Sequence, residues 1–128
     1  MPSSSVISHV RQAEFDVEIE GPSGSATSIH VRLHALDLGR SLFLWIGVGK
    51  HAELGALVAG APIGGGGGAT TVLLDGAGDA DAAADFARIL AARTGKLVLQ
   101  SWAVDDGILD TLASAEVRRR ALAFISEA

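Results

Sequence analysis

The chain has 128 residues, a formal net charge of −5 from 15 acidic and 10 basic residues, and no cysteine. That length makes one domain, 1–128, large enough to bury a core without cross-links. The absence of cysteine excludes disulfides, thiol chemistry and thiolate zinc sites, and the acidic balance argues against binding nucleic acid through its phosphates.

The N-terminus is polar, with no apolar segment and cleavage site behind it, so the expected location is the cytoplasm, with the nucleus as a second compartment. No stretch has the roughly 20 apolar residues needed to span a membrane. Residues 1–13 are expected to be a loose arm with a short strand at 6–10. From Phe15 to Glu20 apolar and acidic residues alternate, as in a half-buried strand, and the Gly21, Pro22, Ser23, Gly24 run breaks it as a turn.

Residues 28–36 alternate more strictly: Ile29, Val31, Leu33 and Ala35 share one face, and Ser28, His30, Arg32 and His34 the other. The turn Asp37, Leu38, Gly39, Arg40 leads into Ser41-Leu42-Phe43-Leu44-Trp45-Ile46-Gly47, a run with the length and content of a strand covered on both sides. The two strands are expected to form a hairpin with Leu33 opposite Leu44, Val31 opposite Ile46, His34 near Phe43 and Arg32 near Trp45. One face of that hairpin is aliphatic and suits the domain's own helices. The other is aromatic, basic and imidazole-bearing, and looks made to be covered by another molecule.

Residues 53–61 are favoured as a strand, although Leu54, Leu57 and Val58 also have helical spacing. Five glycines, 64–68, are expected to form a flexible loop within a Gly-rich stretch, 62–68, ahead of a strand at 69–74. Asp79 is a candidate N-cap for a helix to Thr94, with Asp81 in its first turn, Phe86, Ile89 and Leu90 as apolar stripe, and Gly95 as the stop. A strand follows at 96–104, with Leu97, Leu99 and Ser101 on one face and Val98, Gln100 and Trp102 on the other. After a turn at Asp105, Asp106 and Gly107 and a short extension at 108–112, Ser114 is expected to cap a helix to Glu127. It would turn Val117, Ala121, Phe124 and Ile125 inward. The fold class is α+β: a mainly antiparallel sheet with two helices packed on one face.

Few residues suggest chemistry. The glycine run satisfies a Gly-x-Gly-x-x-Gly/Ala pattern trivially, but it precedes a strand and lacks a following Gly-Lys-Ser/Thr, so phosphate or other ligand binding through 64–68 is the alternative reading. His30 and His34, four strand residues apart, lie roughly 13 Å from each other and cannot share a metal alone. Ser41 and Ser101 lack a nucleophile elbow, and no carboxylate pair stands beside a base, so an enzyme is not expected. Arg118, Arg119 and Arg120 read as the solvated side of a helix or as a docking patch for an acidic partner. Trp45 and Trp102 read as core residues or as interface anchors.

The hairpin Ile29-His30-Val31-Arg32-Leu33 through Ser41-Leu42-Phe43-Leu44-Trp45-Ile46-Gly47 resembles that of the proteasome assembly chaperone 4 family. Leu90-Ala91-Ala92-Arg93-Thr94-Gly95-Lys96, Val98 through Ser101, and Glu116 to Glu127 are similar to that family's helix end, last long strand and C-terminal helix, so the likeness covers 25–128. The resemblance implies a non-enzymatic chaperone without cofactor. It would pair with a proteasome assembly chaperone 3-like subunit in a sheet-mediated dimer, hetero- or homo-, and hold α-type 20S subunits, α5 in particular, while the α-ring forms. The dimer-contacting face would comprise Arg32, His34, Phe43, Trp45, Gln100 and Trp102, with Arg118 and Arg119 as a second docking patch. The five glycines and the segment including Phe15 to Glu20 depart from the family pattern.

Overall fold

The structure, a computed structural model, describes residues 10–20, 24, 26–49, 54–65, 67–75, 79–104, 109 and 111–126. Residues 1–9 of the expected arm, and with them all but the last residue of its strand at 6–10, the residues Gly21, Pro22 and Ser23, the turn at Asp105, Asp106 and Gly107, and Glu127 lie outside them; residues 10–13, expected in the loose arm, belong instead to a strand from Val10 to Glu20.

The elements run β1 (Val10–Glu20), β2 (Ala26–Asp37), β3 (Ser41–Val48), β4 (Ala56–Ile63), β5 (Gly67–Leu74), α1 (Ala80–Thr94), β6 (Leu97–Ala103) and α2 (Thr111–Ser126). They form one six-stranded sheet in the order β1-β2-β3-β6-β4-β5. Each neighbouring pair is antiparallel except β3 and β6, which run parallel at the centre. The fold is α+β, as the pattern of elements predicts, and the residues from 56 onward that were open to a helical reading form strand β4.

β3 and β6 are central because their sequences can be buried on both sides. Leu42, Leu44, Ile46 and Val48 point to the helices with Val31, Leu33 and Ala35 of β2, all at most 4% exposed. α1 adds Ala83, Phe86, Ala87, Leu90 and Ala91, the i, i+3, i+4 spacing of a buried helical stripe. That stripe is shifted toward alanine relative to the expected one, with Ile89 only half-buried. The cap residues fall where expected: the Asp79 carboxylate accepts the N–H groups of Asp81 and Ala82 at 3.0 and 3.1 Å, and Gly95 closes the helix at φ 69°.

α2 begins at Thr111, earlier than the Ser114 start read from the sequence, so Leu112 is helical rather than the end of a short extension. Ala113, Val117 and Ala121 are its buried line, and Phe124 and Ile125 pack at the rim of the core. Two cations tie α2 to β1 through aromatic rings. The Arg120 guanidinium lies 4.9 Å from the Phe15 ring centre, and that of Arg11 lies 4.6 Å from Phe124.

Three expectations are corrected. The hairpin register is Leu33 opposite Ile46 and His34 opposite Trp45, two residues from the expected pairing. The glycine run is not a loop throughout: Gly67 and Gly68 belong to β5, paired with Ile63 and Pro62, and only residues 64–66 lie between the strands. A Cβ on Gly68 would stand 2.8 Å from the Arg88 carbonyl oxygen of α1, so a side chain is excluded there by the helix above. Finally, Gln100 and Trp102 face the helices, not the open side, because β6 pairs Gln100 with Leu44 and Trp102 with Ile46. They are 0% and 2% exposed.

Burial of Gln100 is costly. Its Nε2 donates to the Ser101 carbonyl at 2.9 Å, but its Oε1 has no partner among the described residues. A buried acceptor without a donor costs about 1–3 kcal/mol. Gln100→Leu should therefore be neutral or raise stability by about 1 kcal/mol, checked by urea denaturation. A loss of that size instead would mean that Oε1 is satisfied in solution.

Candidate functional site: the open face of the sheet

Both helices contribute to one core cluster with the inward residues of the sheet, and among the described residues no helix lies on the opposite face. Strand alternation decides what that face carries. From β1 come Gln12, Glu14, Asp16 and Glu18; from β2, His30, Arg32 and His34; from β3, Phe43, Trp45 and Gly47. β6 contributes Leu97, Leu99 and Ser101, and β4 contributes Leu57 and Ala59. The face is thus charged along β1 and β2 and apolar across the centre.

Trp45 is the keystone of the central part. A Cβ on Gly47 would sit 2.0 Å from Cη2 of Trp45, so the indole lies flat on the backbone of Gly47. The Arg32 guanidinium is 5.4 Å from the Trp45 ring centre, and the His34 ring meets it edge-on at 5.3 Å and 72°. These contacts leave Trp45 9% exposed although no helix among the described residues covers it. Beside it, Arg32, His34, Phe43, Trp45 and Leu54 line a cleft of about 520 Å³. Leu54 is held at its rim because Gly55 donates its N–H to the Ser101 hydroxyl at 3.0 Å. A Cβ on Gly55 would lie 2.3 Å from the Trp102 carbonyl oxygen, so this segment presses directly on β6.

Of the six residues expected on a partner-contacting face, the structure brings Arg32, His34, Phe43 and Trp45 together and places Gln100 and Trp102 on the other side of the sheet. Leu97, Leu99, Leu54 and Gly47 complete the face and were missed. The alternation of β6 correctly separates the leucines from Gln100 and Trp102. Which set joins Trp45 depends on the pairing of β6 with β3, a non-local fact.

The charged margin has its own order. His30 bridges two carboxylates, with Nε2 2.8 Å from Glu14 and Nδ1 2.9 Å from Asp16. Only the imidazolium can donate from both nitrogens, so these hydrogen bonds, Glu14 first and Asp16 second, raise the His30 pKa above its ordinary 6.5. A raised folded-state pKa gives stability that is complete below the unfolded value of 6.5 and is lost as pH rises through the folded value. His30→Asn should flatten that decline in denaturation midpoints above pH 6.5, and an NMR titration should place the wild-type imidazole above it. A wild-type midpoint at or below that value would contradict the bridge.

The second expected patch is different in kind. Arg119 and Arg120 both bind the Glu116 carboxylate, with shortest approaches of 2.6 and 2.8 Å, and the hydrogen bond from Arg119, then that from Arg120, holds Glu116 well below the usual carboxylate range. Arg119 is engaged within its own helix, while Arg118 is half-buried. Among the described residues no group of three or more His, Cys, Asp or Glu could hold a metal ion, and no helix is long and apolar enough to cross a membrane.

The class so defined is an α+β domain with a one-sided helical layer and a second sheet face that is apolar at its centre. No curated protein matches the chain. Among solved structures it is similar to one reported as the crystal structure of a novel chaperone complex for yeast 20S proteasome assembly. The TM-score is 0.59 with 16% identity, covering 90% of this chain and 95% of that one, a likeness of fold. The family model for proteasome assembly chaperone 4 matches residues 29–104, and the chain belongs to that family. The matched residues run from β2 through β6 and include α1 and the centre of the open face; β1 and α2 lie outside them.

Proposed function

We propose that the protein is a non-enzymatic chaperone for assembly of the 20S proteasome, working in the cytoplasm and nucleus. It pairs through its open face with a related, proteasome assembly chaperone 3-like subunit. The pair then holds an α-type subunit, α5, while the α-ring forms. The observation that carries this reading is the apolar centre of the open face, built around Trp45, in a chain of the proteasome assembly chaperone 4 family. Surface complementarity needs such a face and needs no catalytic group or cofactor. Arg118 and Arg119, on the helical side, are the candidate second contact, for an acidic surface of the held subunit.

Ligand binding through the glycines is the weaker reading, because Gly67 and Gly68 are already committed to β5 and Gly68 to the approach of α1. A pull-down of the full chain from its source cells tests the proposal. Recovery of a similar-sized partner together with α-type proteasome subunits is expected, and recovery of neither would overturn it.

A further inference from the structure

The sheet has two edges, β1 and β5, and they are built differently. β1 carries Arg11, Gln12, Glu14, Asp16 and Glu18 among its apolar residues. A second copy of β1 laid antiparallel about Phe15 would set Glu14 against Asp16, and like charges directly opposite oppose strand pairing. β5 reads Gly-Gly-Ala-Thr-Thr-Val-Leu-Leu, with neither charge nor proline, the two commonest guards of an edge. Val72, Leu73 and Leu74 are 46%, 53% and 46% exposed. The one irregularity of β5 falls at Leu73, where the register with β4 shifts between Leu57 and Val58. Residues 67–72 therefore present an unbroken strand whose outer N–H and C=O groups face away from the sheet.

We propose that β5 is a self-association edge, on which β5 of a second copy of this chain pairs antiparallel about a two-fold axis normal to the sheet at Thr70. The symmetry requires each residue to oppose one that shares its face. An axis at Thr70 meets that condition while keeping Leu73 out of the central pairs. Thr70 then opposes its own counterpart, Ala69 opposes Thr71, and Gly68 opposes Val72. No charge meets a like charge, and threonine pairs are favourable cross-strand neighbours. The two sheets become one, with both helical layers on one side and both open faces on the other. The dimer therefore leaves each open face accessible, and it stands independently of what that face binds.

The test is sedimentation equilibrium of the purified full chain over a concentration series, with variants at Thr71, which is exposed and lies on the open face. The wild type should dimerise. Thr71→Lys and Thr71→Glu should each weaken the dimer by about tenfold, because the two residues at this position lie diagonally across the axis within reach of long side chains. An equimolar mixture of the two variants should recover the dimer, which a merely structural defect would not allow. Leu97→Asp, on the open face at the start of β6, should leave self-association unchanged. A wild type that stays monomeric to millimolar concentration would overturn the proposal. So would self-association that Leu97→Asp abolishes and the Thr71 variants leave intact.

Discussion

Gly60→Val should lower folding stability by about 3 kcal/mol, a large share of the 5–15 kcal/mol that holds a domain together. Gly60 lies in β4 where α1 crosses close over the sheet. A Cβ placed on it would stand 2.7 Å from the Ala87 carbonyl oxygen, 3.0 Å from the carbonyl carbon and 3.1 Å from the Ala87 Cβ. The obstacles are backbone and a side-chain atom fixed to it, so no rotamer change relieves the clash. The helix must lift, and with it the contacts of Ala83, Phe86 and Leu90 loosen together. Gly64→Ala supplies the control. A Cβ there meets nothing within 4 Å and the backbone is not left-handed, so alanine should cost nothing and add about 0.4–1 kcal/mol by restricting the unfolded chain. Urea denaturation of both variants decides the matter; equal destabilisation would show that helix approach is not what the glycine at 60 serves.

Sequence alone contains the alternation of β2, β3 and β6, the ends of α1 and the division of the hairpin into an aliphatic and a mixed face. These are local, set by periods and caps within a few residues. The hairpin register is also nearly local, yet the expectation misses by two residues because β2 runs on through Asp37. That leaves Leu38, Gly39 and Arg40 as the turn, with Gly39 at φ 88° and the Leu38 N–H donating to the Ser41 carbonyl at 2.9 Å. The Asp37 carboxylate accepts from Gly39 N–H and from Lys96, which stands just before β6. A slip of two preserves every face, which is why Arg32, His34, Phe43 and Trp45 are still found together. The placement of Gln100 and Trp102 fails for another reason. Both faces of β6 are apolar enough to be buried, and only its parallel pairing with β3 decides which one meets the helices. The glycine run misleads similarly: composition suggests mobility, whereas Gly68 lets a helix approach, as Gly60 does in β4.

Trp45→Asp should weaken binding to the partner subunit by about thirtyfold or more, while helical content is retained, if the open face is the pairing surface. The indole lies on Gly47 between Arg32 and His34, so it contributes to the floor of the cleft rather than projecting from it as a peg. A second layer laid over this floor would complete the desolvation of a ring that is only 9% exposed, so the indole acts on the partner through the shape of the floor more than through newly buried area. Aspartate removes the floor and puts an unpaired carboxylate where the partner's apolar surface would press, with a desolvation penalty on top of the lost contact. Because Trp45 also packs within its own chain, loss of binding by that variant could follow from local disorder. Leu97→Asp separates the two causes. Leu97 is 44% exposed in the isolated chain, so its replacement should leave the melting temperature within a few degrees of wild type yet still impair pairing. Binding measured by calorimetry with the co-purified partner should fall for both variants. Full binding by a well-folded Leu97→Asp would move the pairing surface away from the end of the central strands where β3 and β6 begin. It would leave Trp45 as a residue that seals its own strand.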